Sequence, residues 1–220
     1  MDNCIRFPHL LKAGIFDGLE TDFKKDFLNQ CTSQYFEKPT TIFEQGEAST
    51  GMVIIAHGHA DVTYTGEDGR QIFLIRSKVD SILGETEAIS EEPCAASCTT
   101  AANTTILFCA RPLLFQSLQT AGFIRNLTKI FHRRLVGDDW LKHIGQFGSV
   151  EKRLRGYLYM LSENRGKIEE TQSYLASVVG CSRQTINREL ANLRAAGIVE
   201  QTGGEIVVID RDALGAGLHE

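Results

Sequence analysis

No stretch of this 220-residue chain approaches the ~20 consecutive apolar residues needed to cross a bilayer. Arg6 and His9 interrupt the N-terminus before a signal-peptide core could form. A cytoplasmic chain with no membrane partner is therefore expected. Paired cysteine spacing of the zinc-finger kind is also missing. Cys4, Cys31, Cys94, Cys98, Cys109 and Cys181 are scattered, which favours reduced, mostly buried thiols over a disulfide framework. Nor is there an excess of positive charge: the formal net charge is −5, which argues against a wholly basic nucleic-acid binder. Of the segments 1–148, 149–200 and 201–220, only the middle one holds more Lys and Arg than Asp and Glu. That asymmetry permits a local phosphate-binding face there.

What is present falls into three zones. Across about 35–110, short alternating or β-branched runs (GMVIIA, ADVTYT, QIFLIR, TTILFCA) alternate with turn signals such as EQGE, HGH and GEDG. Gly66 to Gly69 between ADVTYT and QIFLIR predicts a hairpin, and the regular short spacing predicts a closed or sandwiched β unit. Short helices are expected ahead of it, within 8–32. Across about 112–147 the pattern is helical, opened by Pro112 and broken near Thr120 or Gly122. Ile124, Leu127, Phe131, Leu135, Leu141 and Ile144 then make an apolar stripe, interrupted at Asp138. The stripe predicts packing on the β unit or self-association.

The third zone, 149–213, opens with Ser149 as a helix cap before VEKRLRGYLYMLSEN. Thr171-Gln172 starts a short helix, Gly180-Cys181 makes a turn, Ser182 opens a second helix and Gly197 stops it. IVEQ and EIVVID around Gly-Gly predict a hairpin after it. Leu175, Val178, Val179, Ile186, Leu190 and Leu193 fall at core spacing, as a helix-turn-helix needs. Arg183, Gln184, Asn187 and Arg188 form the polar face at the start of the second helix, where such a helix enters the major groove. Arg pairs bidentately with guanine, and Gln or Asn with adenine. Thr171, Gln172 and Ser182 sit at helix N-termini, where hydroxyl, amide and backbone N–H groups suit DNA phosphate. A solvated face of an ordinary helical pair has the same local pattern.

Context separates these readings. TQSYLASVVGCSRQTINREL, followed by LRAAGIVE and a hairpin, resembles the winged helix of CRP/FNR-family transcription regulators. Upstream, IFEQGE and MVIIAHGHADVTY look like the β-roll of cyclic-nucleotide-binding domains, and LGE (83–85) like the opening of their phosphate-binding cassette. LTKIFHRRL to SVEKRLRGYLYML looks like the dimerisation helix and the first DNA-domain helix. The resemblance covers nearly the whole chain in order. It implies an α+β fold: an N-terminal, double-stranded jelly-roll-like β-roll sensor over 1–120, a long dimerisation helix and hinge over 121–147, and a C-terminal winged helix-turn-helix over 148–220. It also implies a non-enzymatic homodimer on double-stranded DNA with palindromic half-sites, and RNA polymerase as a further partner of an activator. Arg183, Gln184 and Arg188 would read bases, with Asn187 modifying them, and Ile124, Leu127, Phe131, Leu135 and Leu141 would form the dimer seam.

The same resemblance places a small-molecule effector pocket at Gly84, Glu85, Ala96, Ser97, Asp138 and Asp139. Here the chain departs from the cyclic-AMP pattern. Ala96-Ser97 stands where those responders carry Arg-Ser, and no Lys or Arg occurs between Lys78 and Arg111. A buried phosphate without a cation is costly, so cyclic AMP is not expected; a phosphate held only by backbone N–H groups around Gly84 stays open. An iron–sulfur cluster is not expected either, because an N-terminal cysteine cluster is missing. Haem stays open, with His9, His57, His59, His132 and His143 as candidate ligands. Cys94 and Cys98 suit a thiol switch or two buried thiols, the latter favoured. His57-Gly-His59 suits a cupin-like metal site only if the strand stays extended there. The alternative reading of the whole chain is such a metal- or small-molecule-binding β-barrel with a helical assembly tail.

Overall fold

The computed structural model describes the chain apart from residues 68, 70, 148, 163–166, 169, 203 and 219–220, and gives backbone alone for 136–147, 160 and 167. The chain divides into two compact units, Met1–His132 and Arg133–Glu220.

The first unit begins with α1 (Asn3–Arg6), two 3-10 turns and α2 (Thr21–Gln30). The strands follow: β1 (Thr32–Phe36), β2 (Thr40–Phe43), β3 (Gly51–His57), β4 (Ala60–Thr65), β5 (Gln71–Ser77) and β6 (Ile82–Leu83). After α3 (Glu85–Ser90) come β7 (Ser97–Thr100), β8 (Thr104–Ala110) and α4 (Arg111–Ser117). Two four-stranded antiparallel sheets result, ordered β1-β8-β3-β6 and β2-β7-β4-β5. This is the sandwiched β unit the strand spacing predicts, in the jelly-roll-like form the resemblance implies. Thr65 pairs with Gln71, and the Gly69 N–H donates to the Gly66 carbonyl at 2.9 Å, which closes the expected hairpin.

GMVIIA reads as continuous apolar because both faces of β3 are covered. Met52, Ile54 and Ala56 join a core with Leu10, Phe16, Leu28, Phe123 and Leu127 from the helical elements. Val53 and Ile55 point the other way, into the space between the sheets, with Ala60, Leu83, Cys98 and Ile106. On β8, Leu107 and Cys109 take the first side and Ile106 and Phe108 the second. Deleting a side chain buried this way, as in Ile54→Ala, costs about 2–5 kcal/mol.

The helix α5 (Ala121–Phe147) contributes residues to both units. Asn126, 3% exposed, donates from Nδ2 to the carbonyls of Ile15 (3.0 Å) and Asp17 (2.8 Å). That ties the start of α5 to the N-terminal segment. The second unit continues with α6 (Val150–Leu161), β9 (Lys167–Ile168), α7 (Gln172–Val179), α8 (Arg183–Ala195), β10 (Val199–Thr202), β11 (Glu205–Val208) and α9 (Arg211–Gly215). The hairpin β10–β11 is the expected wing. β9, which pairs with β11 to make the sheet order β10-β11-β9, is too short to register in the sequence.

Candidate nucleic-acid interface and effector cavity

The helix-turn-helix is built by its caps. The Lys152 N–H donates to Ser149 Oγ at 3.2 Å, the Tyr174 N–H to Thr171 Oγ at 3.2 Å, and the Thr185 N–H to Ser182 Oγ at 3.1 Å. Each takes one of the unpaired donors at a helix start. α7 stops at Gly180, whose φ of 70° is the left-handed region that favours glycine. Arg153 of α6 donates from Nε to the Val179 carbonyl at 2.9 Å, so its side chain satisfies an end-of-helix acceptor and props the turn. Leu175, Val179, Ile186, Leu190 and Leu193 are all buried, each under 5% exposed.

With that face buried, α8 turns Arg183, Gln184, Asn187 and Arg188 outward, all four exposed on its first two turns. No acidic residue lies in the first turn. Thr171 and Ser182 are exposed and Gln172 half-buried. Both hydroxyl oxygens accept capping bonds, and because a hydroxyl also carries an O–H donor, each can still donate to a phosphate beside the helix-start N–H groups that the caps do not take.

One residue of this helix was not singled out in the sequence. Glu189 is 9% exposed and accepts at Oε1 from Arg188 Nε (3.2 Å) and Nη2 (3.1 Å). Its other oxygen accepts from Asn192 Nδ2 at 3.2 Å. The signal was available: 186, 189, 190 and 193 are spaced as one buried helical stripe. Burial pushes the nearby Cys181 thiol up, Arg153 opposes that, and Glu189 adds to it.

The first unit has a cavity with a volume of about 640 Å³. Phe36, Phe43, Phe108, Val53 and Ile106 are apolar residues of its lining, and Glu44, Glu47 and Cys94 line it too. None of Gly84, Glu85, Ala96 and Ser97, expected to form the effector pocket, lines it, and the side chains of Asp138 and Asp139 lie outside the described residues. Gly84 has φ 77°, and a Cβ there would lie 2.4 Å from the ring of Phe43. The aromatic ring therefore covers the glycine of the cassette. Ser97 Oγ accepts the Gln45 N–H at 3.0 Å and lies 3.5 Å from Glu44 Oε1. Glu85 is buried at 1% exposure.

The apolar stripe of α5 splits. Leu127 is 3% exposed inside the core of its own unit, and Phe131 packs partly against that core. Ile124 and Leu135 stay exposed, at 43% and 60%. Leu127 thus leaves the expected seam, because a side chain already enclosed by its own unit has no surface to offer a second copy. The side chain of Leu141 lies outside the described residues.

Cys94 and Cys98 are both buried, at 4% and 3% exposure. Burial pushes both thiols up, Cys98 to about 12, with Glu87 adding to the first and Asp61 to the second. Since the thiolate is the reactive form, both thiols are expected to resist iodoacetamide at neutral pH. Labelling should rise only as the pH climbs towards these raised values, Cys98 last, as read by peptide mass spectrometry. The same shift makes stability fall at alkaline pH, because the unfolded chain releases these protons first. Rapid labelling of Cys98 at pH 7 would contradict the assignment. As for the histidine pair, Gly58 sits at φ 79° in the turn between β3 and β4, so the strand does not stay extended through His57-Gly-His59. His57 Nδ1 lies 3.1 Å from the Asn103 carbonyl, and His9 Nε2 lies 2.9 Å from that of Ala56. Among the described residues no cluster of His, Cys, Asp and Glu is arranged to hold a metal.

Comparison with known proteins agrees with both halves. Residues 33–121 match the model of the cyclic nucleotide-binding domain, and residues 152–216 that of the Crp-like helix-turn-helix domain. The chain is 26% identical over 215 residues to a CRP-like cAMP-activated global transcriptional regulator of Mycobacterium tuberculosis, covering 93% of this chain and 96% of that one. Its fold is similar to a CooA variant from Carboxydothermus hydrogenoformans, with TM-score 0.74 at 16% identity over 96% of this chain and 95% of that one. FixK2 from Bradyrhizobium japonicum gives TM-score 0.72 at 16% identity, covering 84% and 95%. Among the described residues no helix is long and apolar enough to cross a membrane. A β-roll matched to cyclic-nucleotide-binding domains, followed by a helix-turn-helix with four outward polar side chains, places this chain in the CRP/FNR family of DNA-binding transcription regulators, a family of regulators and not of enzymes.

Proposed function

We propose that the protein acts in the cytosol as a homodimer whose two α8 helices read a palindromic DNA site, half-sites one helical turn apart, under control of an effector other than cyclic AMP. The observation that carries the DNA reading is the exposed quartet Arg183, Gln184, Asn187 and Arg188 on a helix whose opposite face is buried. Bidentate donors at those positions suit half-sites that contain guanine. Dimerisation is supported by Ile124, Thr128, Phe131 and Leu135, which repeat at four, three and four residues on α5. That is the spacing of a helix–helix seam. An effector that binds one arrangement of the dimer more tightly than the other shifts the recognition helices into or out of register. An activator of this kind would also meet RNA polymerase.

The relative from Mycobacterium tuberculosis is named as cAMP-activated, but the residues here do not suit a cyclic phosphate. Phe43 covers Gly84, and Glu44 stands beside Ser97. Arg76 is engaged by Asp61 at 2.7 and 2.8 Å. Arg111 is engaged by the Ser49 carbonyl at 2.5 Å and by Glu91 at 3.6 Å. The cavity's aromatic wall and two carboxylates favour a neutral or cationic effector over a phosphate ester.

Two measurements test the proposal. Calorimetric titration with cyclic AMP up to about 1 mM, enough to register a 1 mM Kd, is expected to give no saturable heat. A saturable isotherm would return cyclic AMP to the β-roll. Binding to duplex DNA should weaken steeply with salt, linear in log–log form, because phosphate contacts release counterions. A salt-independent affinity would contradict the DNA reading.

A further inference from the structure

We infer that Glu189 is a positioning residue for DNA reading: it holds the guanidinium of Arg188 by one edge so that the other faces the bases. This rests on the proposed reading of bases by Arg188. Neighbouring residues on a helix do not normally face each other, yet the Arg188 side chain folds across α8 to reach Glu189. Both Nε and Nη2 converge on one oxygen, Oε1, at 3.2 and 3.1 Å. The second oxygen is held from the other side by Asn192 Nδ2 at 3.2 Å, three residues on.

The two partners differ in exposure. The Glu189 side chain is 12% exposed and that of Arg188 is 71%. The carboxylate is thus set in the wall of the domain, among Ile186, Leu190 and Leu193 on the buried stripe, while the guanidinium stands in solvent. With its cationic partner in solvent, the pair is screened and adds little to stability. Its consequence is geometric. A guanidinium carries five N–H donors in a planar fork. With Nε–H and one Nη2–H directed at Glu189, both Nη1 hydrogens and the second Nη2 hydrogen remain. That Nη1/Nη2 edge presents two parallel donors, as bidentate pairing with guanine O6 and N7 needs. Holding it in advance removes the ordering cost of a long, rotamer-rich side chain, which is worth about two- to twelvefold in binding.

The test uses the full chain and the duplex it selects from a random pool, with Kd measured for that duplex and for every single base-pair change in one half-site. Arg188→Ala should abolish discrimination at one position. Glu189→Met and Glu189→Ala both delete the acceptor, and whichever is folded by circular dichroism carries the comparison. Each should lower discrimination about two- to twelvefold at that same position and leave the others unchanged. Glu189→Gln, which keeps an acceptor at the same place, should restore most of it. In an Arg188→Ala background the Glu189 substitutions should change nothing further. If Arg188→Ala leaves every position unchanged, reading by Arg188 is wrong. If Arg188→Ala acts at one position but the Glu189 variants do not, positioning alone is overturned. It is also overturned if those variants act equally without Arg188, or lower affinity for every sequence alike.

Discussion

A chain carrying both Ile124→Asp and Leu135→Asp is expected to sediment as a monomer and to bind a full palindromic site about 10²–10⁴-fold more weakly. The loss follows from linkage of two readers on one helix pair. Once one half-site is engaged, the second binding event is intramolecular, and a monomer forfeits that local concentration. The positions are chosen by exposure. Ile124 and Leu135 are 43% and 60% exposed, so a carboxylate there disturbs the isolated chain little. In a helix–helix seam the same carboxylate would be desolvated without a partner, which is costly. Leu127→Asp would be a poor choice, because Leu127 lies in the core of its own unit and its loss would unfold the β-roll. Sedimentation velocity checks the mass, and a thermal melt checks that the fold is kept. A double variant that remains dimeric would move the interface off this face of α5.

Arg183→Ala and Arg188→Ala are each expected to relax specificity at one position per half-site by about 1–3 kcal/mol, or roughly 5- to 150-fold. Their weak effect on non-sequence-specific binding is as informative as the loss. A lysine or arginine that met only phosphate would lower affinity for all sequences alike. Both side chains are exposed, and the buried face of α8 consists of Ile186, Glu189, Leu190 and Leu193; since Arg188 also donates to the buried Glu189 carboxylate, a thermal melt must show that its variant stays folded. Competition binding against single-base-pair variants checks this, and a uniform loss across all variants would reassign either arginine to the phosphate backbone.

The DNA-binding half was legible because its signals are local. Thr171, Ser182 and Gly180 stand within a few residues of the helix ends they cap, and helical spacing puts Ile186, Leu190 and Leu193 on one face and Arg183 and Asn187 on another. The same spacing placed Glu189 on the buried stripe, but nothing local shows that its partner is the adjacent arginine. The sensor half was legible as strands and illegible as a site. Its cavity draws on Phe36, Phe43, Val53 and Phe108, brought together by pairings between strands far apart in the chain. Phe43 meets Gly84 across forty residues, so the covering of the cassette glycine could not be read from either segment. On α5 the apolar period was correct but ambiguous. Leu127 belongs to the stripe that meets its own core and Leu135 to the one that does not, and the two stripes differ by a single step around the helix.

The central claim is that α8 gives sequence-specific contact with both halves of a symmetric site. Selection from a random duplex pool with the purified chain, followed by sequencing of the retained DNA, tests it most directly. Enrichment of a palindrome with half-sites about 10 base pairs apart, lost when Arg183 and Arg188 are both replaced by Ala, is the predicted result. Salt-sensitive retention with no enriched sequence would contradict it.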